Sequence, residues 1–324
     1  MPTIDELDVS AGGVADRAIS LAVEDARLEV WPRFGFNALR WQVAGKDVLF
    51  VDPNWPTAPV PTRSGHPILF PFPNRLENAT FEFDGSVFRL PKNESSGVHA
   101  IHGFTPKNAW RTVDRGTAAD FAFVTGEFRL SIDKPEVLAY WPSDGCLRVT
   151  YTLHPKRLDV AATVSSFDRP LPFGLGYHPY FAMQNSPGAG IDDWTLRVPA
   201  GEVWEAVGAI PTGRRLTPPE SVDFRMSRRI GNVELDTLYT DLPEAGDGLV
   251  ELASLSDGTS TIRVSADRRF RELLLFIPAH RKAVAIEPYT CATNAANLPD
   301  GGWLVLKPNS KHESRVSYDW SEVR

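Results

Sequence analysis

The chain has 324 residues, of which 42% are hydrophobic and 23% are charged, an ordinary composition for a folded protein. Its formal net charge of −7 argues against nucleic acid or an anionic membrane as a partner, because both require a basic face. Two cysteines, Cys146 and Cys291, exclude a disulfide framework. The sequence shows no signal peptide, and no stretch reaches the roughly 20 apolar residues that span a bilayer. We therefore expect a cytoplasmic protein.

Alternation of apolar and polar residues predicts strands along the chain. FEFDGSVFRL (81–90) predicts a hairpin with Asp84-Gly85 at its turn. LRVTYTL (147–153) and LDVAATV (158–164) predict a second hairpin. Three later segments also predict strands: TIRVSA, RELLLFI and KAVAIE. The 27 prolines, spread along the chain, discourage helix interiors.

These patterns predict an all-β protein, folded as one large antiparallel β-sandwich with long loops. The two longest loops cover residues 52–67 and 185–193. Neither has the length or polarity of an interdomain linker. We therefore expect residues 1–324 to form a single domain.

The stretch PFGLGYHPYF (172–181) places one titratable side chain, His178, among glycines, prolines and aromatic residues. As a strand, it would turn Gly174, Gly176 and His178 toward the face opposite its aromatic side chains. Glycine inside a strand often marks the close approach of a ligand or of another backbone. His178 is therefore a candidate for proton transfer, and the alternative is a structural histidine with a satisfied hydrogen bond.

KAVAIEPYT (282–290) has a similar arrangement, with Ala283, Ala285 and Glu287 on one face. Small residues again lead to one ionisable group at a strand end, followed by proline and tyrosine. Glutamate is seldom buried unless it is paired or functional. An acid and a histidine in matching positions favour a shared site, and the alternative is a glutamate at the surface.

Other polar candidates are Arg75, His99, His102, Asp236 and Asp241. Arg75 would clamp vicinal hydroxyls or a carboxylate, or form a structural ion pair. His99 and His102 are spaced His-x-x-His, but no companion cluster supplies the three or four ligands of a metal site, so no metal is expected. The two aspartates are ligand candidates or turn residues. No phosphate-binding glycine loop and no Gly-x-Ser-x-Gly motif is present.

Taken together and in order, six stretches resemble the aldose 1-epimerase (galactose mutarotase-like) family. They run from about residue 66 to residue 298: HPILFPFPNRL, AIHGF with a following tryptophan, LRVTYTL, PFGLGYHPYF, LDTLYTDL and AIEPYTCATNAANL. The resemblance implies a galactose mutarotase-like β-supersandwich. It also implies a cofactor-free isomerase that interconverts the α and β anomers of a free hexose.

On the family's pattern, Glu287 aligns with the general base and His178 with the general acid. His102, Arg75 and Asp236 align with residues that bind the substrate. Asp241 lies close to Asp236 in the sequence and is the alternative to it. The base would remove the proton of the C1 hydroxyl while the acid protonates the ring oxygen. Each positioned group contributes roughly 10²–10⁴-fold to such a reaction.

The same resemblance implies that Gly174 and Gly176 make room for the sugar. It also implies that Tyr180, Phe181 or Trp110 packs on the apolar face of the sugar.

Three alternatives remain at this point. A phosphorylated or sulfonated hexose would require cationic groups near the far end of the sugar, for which the candidates are Arg281, Lys282, Arg214 and Arg215. A non-catalytic sugar-binding module would need Arg75 and His102 but no acid–base pair. A glycoside hydrolase would require two carboxylates, of which only Glu287 is a strong candidate. Neither the particular hexose nor the oligomeric state can be read from the sequence.

Overall fold

Antiparallel strands make up about half of the computed structural model, which describes residues 1–182, 190–244 and 246–323. One α-helix, α1 (Leu130–Asp133), lies in these ranges. The strands are β1 (Thr3–Ala11), β2 (Val14–Val23), β3 (Ala26–Trp31), β4 (Asn37–Val43), β5 (Lys46–Asp47), β6 (Ile68–Leu69), β7 (Arg75–Leu76), β8 (Thr80–Phe83), β9 (Ser86–Arg89), β10 (Ala100–Ile101), β11 (Arg111–Thr117), β12 (Ala122–Arg129), β13 (Gly145–His154), β14 (Arg157–Ser166), β15 (Leu171–Phe173), β16 (Gly176–Tyr177), β17 (Tyr180–Phe181), β18 (Thr195–Arg197), β19 (Glu202–Val207), β20 (Ile210–Leu216), β21 (Arg228–Arg229), β22 (Asp236–Thr240), β23 (Val250–Ser256), β24 (Ser260–Ala266), β25 (Glu272–Phe276), β26 (Val284–Tyr289), β27 (Leu304–Leu306) and β28 (Lys311–Glu322).

Both predicted hairpins are confirmed. β13 and β14 pair over their whole length, with His154 opposite Arg157 at the turn. β8 and β9 close at Asp84 and Gly85, whose φ angles of 49° and 70° are the positive values that a tight two-residue hairpin turn requires. The local alternation and the turn chemistry of the sequence are therefore sufficient to specify these two elements.

The strands assemble into two large antiparallel sheets and several smaller ones. The nine-stranded sheet has the order β11-β12-β13-β14-β28-β24-β23-β18-β21. The eight-stranded sheet has the order β20-β19-β22-β25-β26-β16-β6, and β17 also pairs with β26. β1 to β5 form a five-stranded sheet in chain order. This architecture confirms the predicted all-β antiparallel fold.

The main hydrophobic core is shared by the three largest sheets. Its buried side chains extend along the chain from Ile19 to Trp320. The inward-facing residues of β13, Leu147, Val149 and Tyr151, are completely buried, as their alternation predicts. The organisation of residues 1–324 as a single domain stays a prediction, and residues 185–189 of the second long loop lie outside the described ranges. No helix in the described part of the chain has the length and apolarity needed to cross a membrane.

The two glycines of the 172–181 stretch are required by protein packing. A Cβ atom on Gly174 would lie 2.4 Å from Sγ of Cys291, and one on Gly176 would lie 2.4 Å from Cδ1 of Tyr289. The expectation that these glycines leave room for a sugar is therefore wrong. Other side chains of the protein already fill that space, so the alternative cause of a strand glycine, close approach of another part of the chain, applies here.

Glu287 does not lie at a strand end, because β26 continues through Pro288 to Tyr289. His178 does lie at an interruption, between β16 and β17. The proline that follows each residue thus has a different effect in the two places. It breaks the ladder after His178, whereas the strand continues past Glu287.

Gly176→Ala is expected to lower the free energy of unfolding by about 1–3 kcal/mol, because the added methyl group forces the Tyr289 ring or Pro73 to move. Gly190→Ala is the matched control. Its φ is −85° and no described atom lies within 4 Å of the added Cβ, so a change within about 0.5 kcal/mol is expected. Urea unfolding measures both variants, and equal losses would contradict the packing role of Gly176.

Candidate active site

One pairing of strands brings His178 and Glu287 together. β16 and β17, which flank His178, both pair with β26, which carries Glu287. The register sets Gly176 opposite Tyr289, and the same register continued by two residues sets His178 opposite Glu287. Nε2 of His178 lies 3.3 Å from Oε1 of Glu287, and both side chains are almost completely buried.

A cavity of about 650 Å³ opens above this pair. Its lining includes all five predicted site residues: Arg75, His102, His178, Asp236 and Glu287. β22, β25 and β26 form its floor, where Asp236 lies opposite Phe276 and Leu274 lies opposite Glu287. Asp241 is not among the lining residues, and His99 is used elsewhere, where its Nδ1 accepts a hydrogen bond from the backbone N–H of Asn78 (3.1 Å).

Arg75 reaches the cavity from β7 and is held by two neighbours. Its Nε donates to Oε1 of Glu94, and its Nη1 donates to Oδ1 of Asn74 (2.9 Å). Oε2 of Glu94 accepts a second hydrogen bond, from Ser96. The structural ion pair expected for Arg75 is therefore present, and its role toward a ligand stays a prediction, although it lines the cavity.

His102 is presented by a tight turn. Its φ is 61°, and its backbone N–H donates to the carbonyl of Asn74 (2.9 Å). The next residue, Gly103, has a φ of 65°, and a Cβ there would lie 2.2 Å from the carbonyl oxygen of Phe70. This position thus accepts only glycine. The turn places the ring of His102 across from that of His178, with 5.5 Å between centroids.

The buried histidines fall into two kinds. Both ring nitrogens of His66 have partners, the hydroxyls of Tyr151 (3.0 Å) and Tyr318 (2.8 Å), so this histidine satisfies the structural alternative. In contrast, Nδ1 of His102, Nδ1 of His178 and Oε1 of Glu287 are buried with no hydrogen-bond partner among the described residues. Buried polar atoms without partners are costly, and these three all belong to residues that line one cavity. This arrangement is typical of a ligand site.

A tyrosine two residues downstream supports each member of the pair. The Tyr180 ring stacks on His178 at 4.5 Å, and its hydroxyl lies 3.2 Å from Nε2 while donating to the carbonyl of Thr62 (2.9 Å). The Tyr289 hydroxyl donates to Oε2 of Glu287. The sequence analysis missed the role of Tyr289, although the repeated pattern His-Pro-Tyr and Glu-Pro-Tyr was a signal for it. Of the other aromatic candidates, Phe181 and Trp110 are buried in the core.

Burial acts in opposite directions on the two titratable groups. It lowers the pKa of His178, as does the nearby His102, because the charged imidazolium loses solvation. Burial raises the pKa of Glu287, and the hydrogen bond from Tyr289 offsets part of that rise. A doubly protonated pair and a fully deprotonated pair are therefore both disfavoured, and the pair carries a single proton, which these shifts favour on Glu287. Such a pair can donate a proton at one atom of a ligand and accept a proton at another.

The comparison with protein families agrees with this geometry. A family model described as aldose 1-epimerase matches residues 23–319. The chain belongs to the aldose 1-epimerase family. It is thus an isomerase, as the resemblance implied, and its substrate is a small sugar.

Known relatives of this epimerase are distant. The uncharacterized protein YihR of Escherichia coli K12 is 24% identical over 240 residues, which cover 71% of each chain. A galactose mutarotase-like protein from Clostridium acetobutylicum has the same fold, with a TM-score of 0.88, 20% identity and 99% of both chains covered. A galactose 1-epimerase from Lactobacillus acidophilus superposes with a TM-score of 0.79 at 16% identity over 100% of this chain and 99% of that one.

The raised pKa of Glu287 predicts that this carboxylate destabilises the folded epimerase at neutral pH. For an acid whose pKa is higher in the folded state, the cost is absent below its ordinary value of about 4.3 and grows as the pH rises above it. Glu287→Gln is therefore expected to raise the melting temperature relative to wild type at pH 8 more than at pH 4.

Glu94→Gln is the control with the opposite sign. Burial raises the pKa of Glu94, but hydrogen bonds from Ser96 and Arg75 outweigh it, so the net pKa is lowered. Its carboxylate stabilises the fold above its unfolded pKa, and the variant should lose stability at pH 8 relative to pH 4. Parallel shifts of both variants at the two pH values would contradict the electrostatic account.

Proposed function

We propose that this epimerase is a mutarotase that interconverts the α and β anomers of a free hexose by opening and closing the ring. The observation that carries the proposal is the buried contact between Nε2 of His178 and Oε1 of Glu287 at the floor of a sugar-sized cavity. A mere sugar-binding module has no need for such a pair, because it moves no proton.

In the proposed mechanism, the single proton of the pair moves from Glu287 to Nε2 of His178 across their 3.3 Å contact, and Oε1 of Glu287 then removes the proton from the C1 hydroxyl. The bond between C1 and the ring oxygen breaks, its electron pair goes to the ring oxygen, and Nε2 of His178 delivers a proton there. The open-chain aldehyde then rotates about the C1–C2 bond. Reversal of both proton transfers closes the ring on the other face of the carbonyl and restores both side chains.

Three further residues suit the sugar hydroxyls. Arg75, fixed by Glu94, offers the rest of its guanidinium fork to oxygen atoms. Burial and the charges of Arg75 and Lys107 lower the pKa of His102 to about 3, so its ring is neutral at pH 7 and offers both a donor and an acceptor. Asp236 accepts from hydroxyls on the cavity floor. We propose Asp236 over Asp241 because only Asp236 lies among the residues that line the cavity.

The first test is polarimetry of freshly dissolved α-D-galactose and α-D-glucose. Wild type is expected to accelerate the relaxation of at least one of them. His178→Ala and Glu287→Gln should each lose about 10²–10⁴-fold, because each removes one positioned proton-transfer group. Circular dichroism checks that both variants are folded. Undiminished acceleration by either folded variant would contradict the assigned roles, and no acceleration of any hexose by wild type would favour the binding-module alternative.

Tyr289 is expected to tune the base. Tyr289→Phe removes the hydrogen bond that holds down the pKa of Glu287, so the pair should keep its single proton to a higher pH. The high-pH limb of the kcat/KM profile, where that proton is lost, should therefore shift upward, and kcat should fall about tenfold. Tyr239→Phe is the matched control, because this buried hydroxyl donates to a backbone carbonyl, that of Val222 (2.7 Å). A fall in activity with an unchanged pH profile would show that Tyr289 is only structural.

A further inference from the structure

A second cavity of about 440 Å³ adjoins the first. The two share five lining residues: Thr62, Asn93, Ile101, His102 and Lys107. His178 and Glu287 line only the first cavity. The second cavity therefore lies beyond His102, on the side of the site away from the groups proposed to act at C1.

The two cavities differ in the charges that line them. Four carboxylates line the first, Asp52, Glu94, Asp236 and Glu287, together with three cationic side chains, Arg63, Arg75 and Lys107. No carboxylate of the described residues lines the second, which instead contains Lys107 and Lys134. The whole chain has 41 acidic and 34 basic residues. A cavity lined by lysines and by no described carboxylate therefore stands out in it, and such a cavity attracts a negatively charged group of a ligand.

Lys107 is the group available to a ligand there. No described residue forms an ion pair with it, whereas Nζ of Lys134 donates to Glu136 (2.7 Å). Each nearby amide already uses one of its two N–H groups, because Nδ2 of Asn93 donates to the carbonyl of Ile101 (3.0 Å) and Nδ2 of Asn108 donates to that of Phe104 (2.5 Å).

The walls of the second cavity include Phe72, Phe104 and Tyr140. Lys107 itself is exposed, so an anion gains most from it when these walls hold the anion inside the cavity. The cations proposed from the sequence do not contribute here, because Arg281, Lys282, Arg214 and Arg215 line neither cavity. Arg281, for example, is engaged by Asp192 (2.7 Å).

We propose that the second cavity binds an anionic substituent that the sugar carries at the end remote from C1, with Lys107 as its main contact. This inference rests on the ring-opening chemistry of the proposed function and replaces its neutral hexose by a hexose with a free anomeric hydroxyl and a distal phosphate ester, sulfonate or carboxylate. Carboxylates outnumber cations along the first cavity and no described carboxylate lines the second, so the sugar ring binds in the first and the anion points past His102.

The test compares anomer exchange, measured by NMR magnetisation transfer, for four sugars: glucose, glucose 6-phosphate, 6-deoxy-6-sulfoglucose and glucuronate. At least one anionic sugar is expected to have a kcat/KM about tenfold or more above that of glucose, since a charge-assisted contact is made only by that sugar. The three anionic sugars distinguish phosphate, sulfonate and carboxylate. Glucose turned over as well as all three would overturn the inference.

Lys107→Met should lower the ratio of anionic to neutral kcat/KM about tenfold, and Lys107→Arg should retain the ratio because it keeps the charge. Lys282→Met is the matched control, a nearby lysine outside both cavities, and should leave the ratio unchanged. An equal effect of Lys107→Met on all four sugars would overturn the inference.

A measurement of binding distinguishes a failure of this inference from a failure of the proposed function. Calorimetric titration of the same anionic sugars is expected to show binding by wild type that weakens about tenfold in Lys107→Met. Lys107-dependent binding without anomer exchange would support the second cavity and reject the mutarotase. Anomer exchange of glucose without binding of any anionic sugar would reject the second cavity and support the mutarotase.

Discussion

The site depends on the register between β26 and the two short strands that flank His178. Every residue of β26 is buried, so this strand has no freedom to slide. A shift by one residue would exchange the two faces of the strand, turning Glu287 into the core and Ile286 into the cavity. The strand is interrupted at Pro179, so His178 lies beside Glu287 without having to take part in the hydrogen-bond ladder between the strands. Packing of the sheet thus fixes an acid–base distance that loops alone would not hold.

Burial of this pair has an electrostatic consequence for the reaction. In the proposed mechanism, taking a proton at Glu287 while giving one from His178 keeps the ligand neutral throughout. A stepwise transfer would instead leave a net charge on the ligand in a poorly solvated site, at a cost of several kcal/mol. The burial of the pair therefore favours proton transfers that are closely coupled in time. Tyr289 and Tyr180 hold the two groups in orientation during this exchange.

The sequence predicted the strands and hairpins better than the contacts between residues that are distant in the chain. Alternation and turn residues predicted both hairpins, since these features are local. Local patterns made the five site residues candidates, but roles could be assigned to them only through the family resemblance, and all five line one cavity. The role of Gly176 was predicted wrongly, because its neighbour Tyr289 is distant in the chain. The same limit hid Lys107, since nothing in its local sequence reveals that it lies where two cavities join.

The residues proposed to transfer protons and those proposed to bind the sugar lie on two different kinds of structure. His178 and Glu287 are held by a buried sheet, whose register tolerates little change. Arg75, His102 and Lys107 come from short strands and turns between residues 74 and 107. On the proposed function, side-chain substitutions in that segment would alter which end group of a sugar is accepted while His178 and Glu287 stay in place. The fold itself tolerates wide sequence change, since structures that share only 14–23% of their residues with this chain have it.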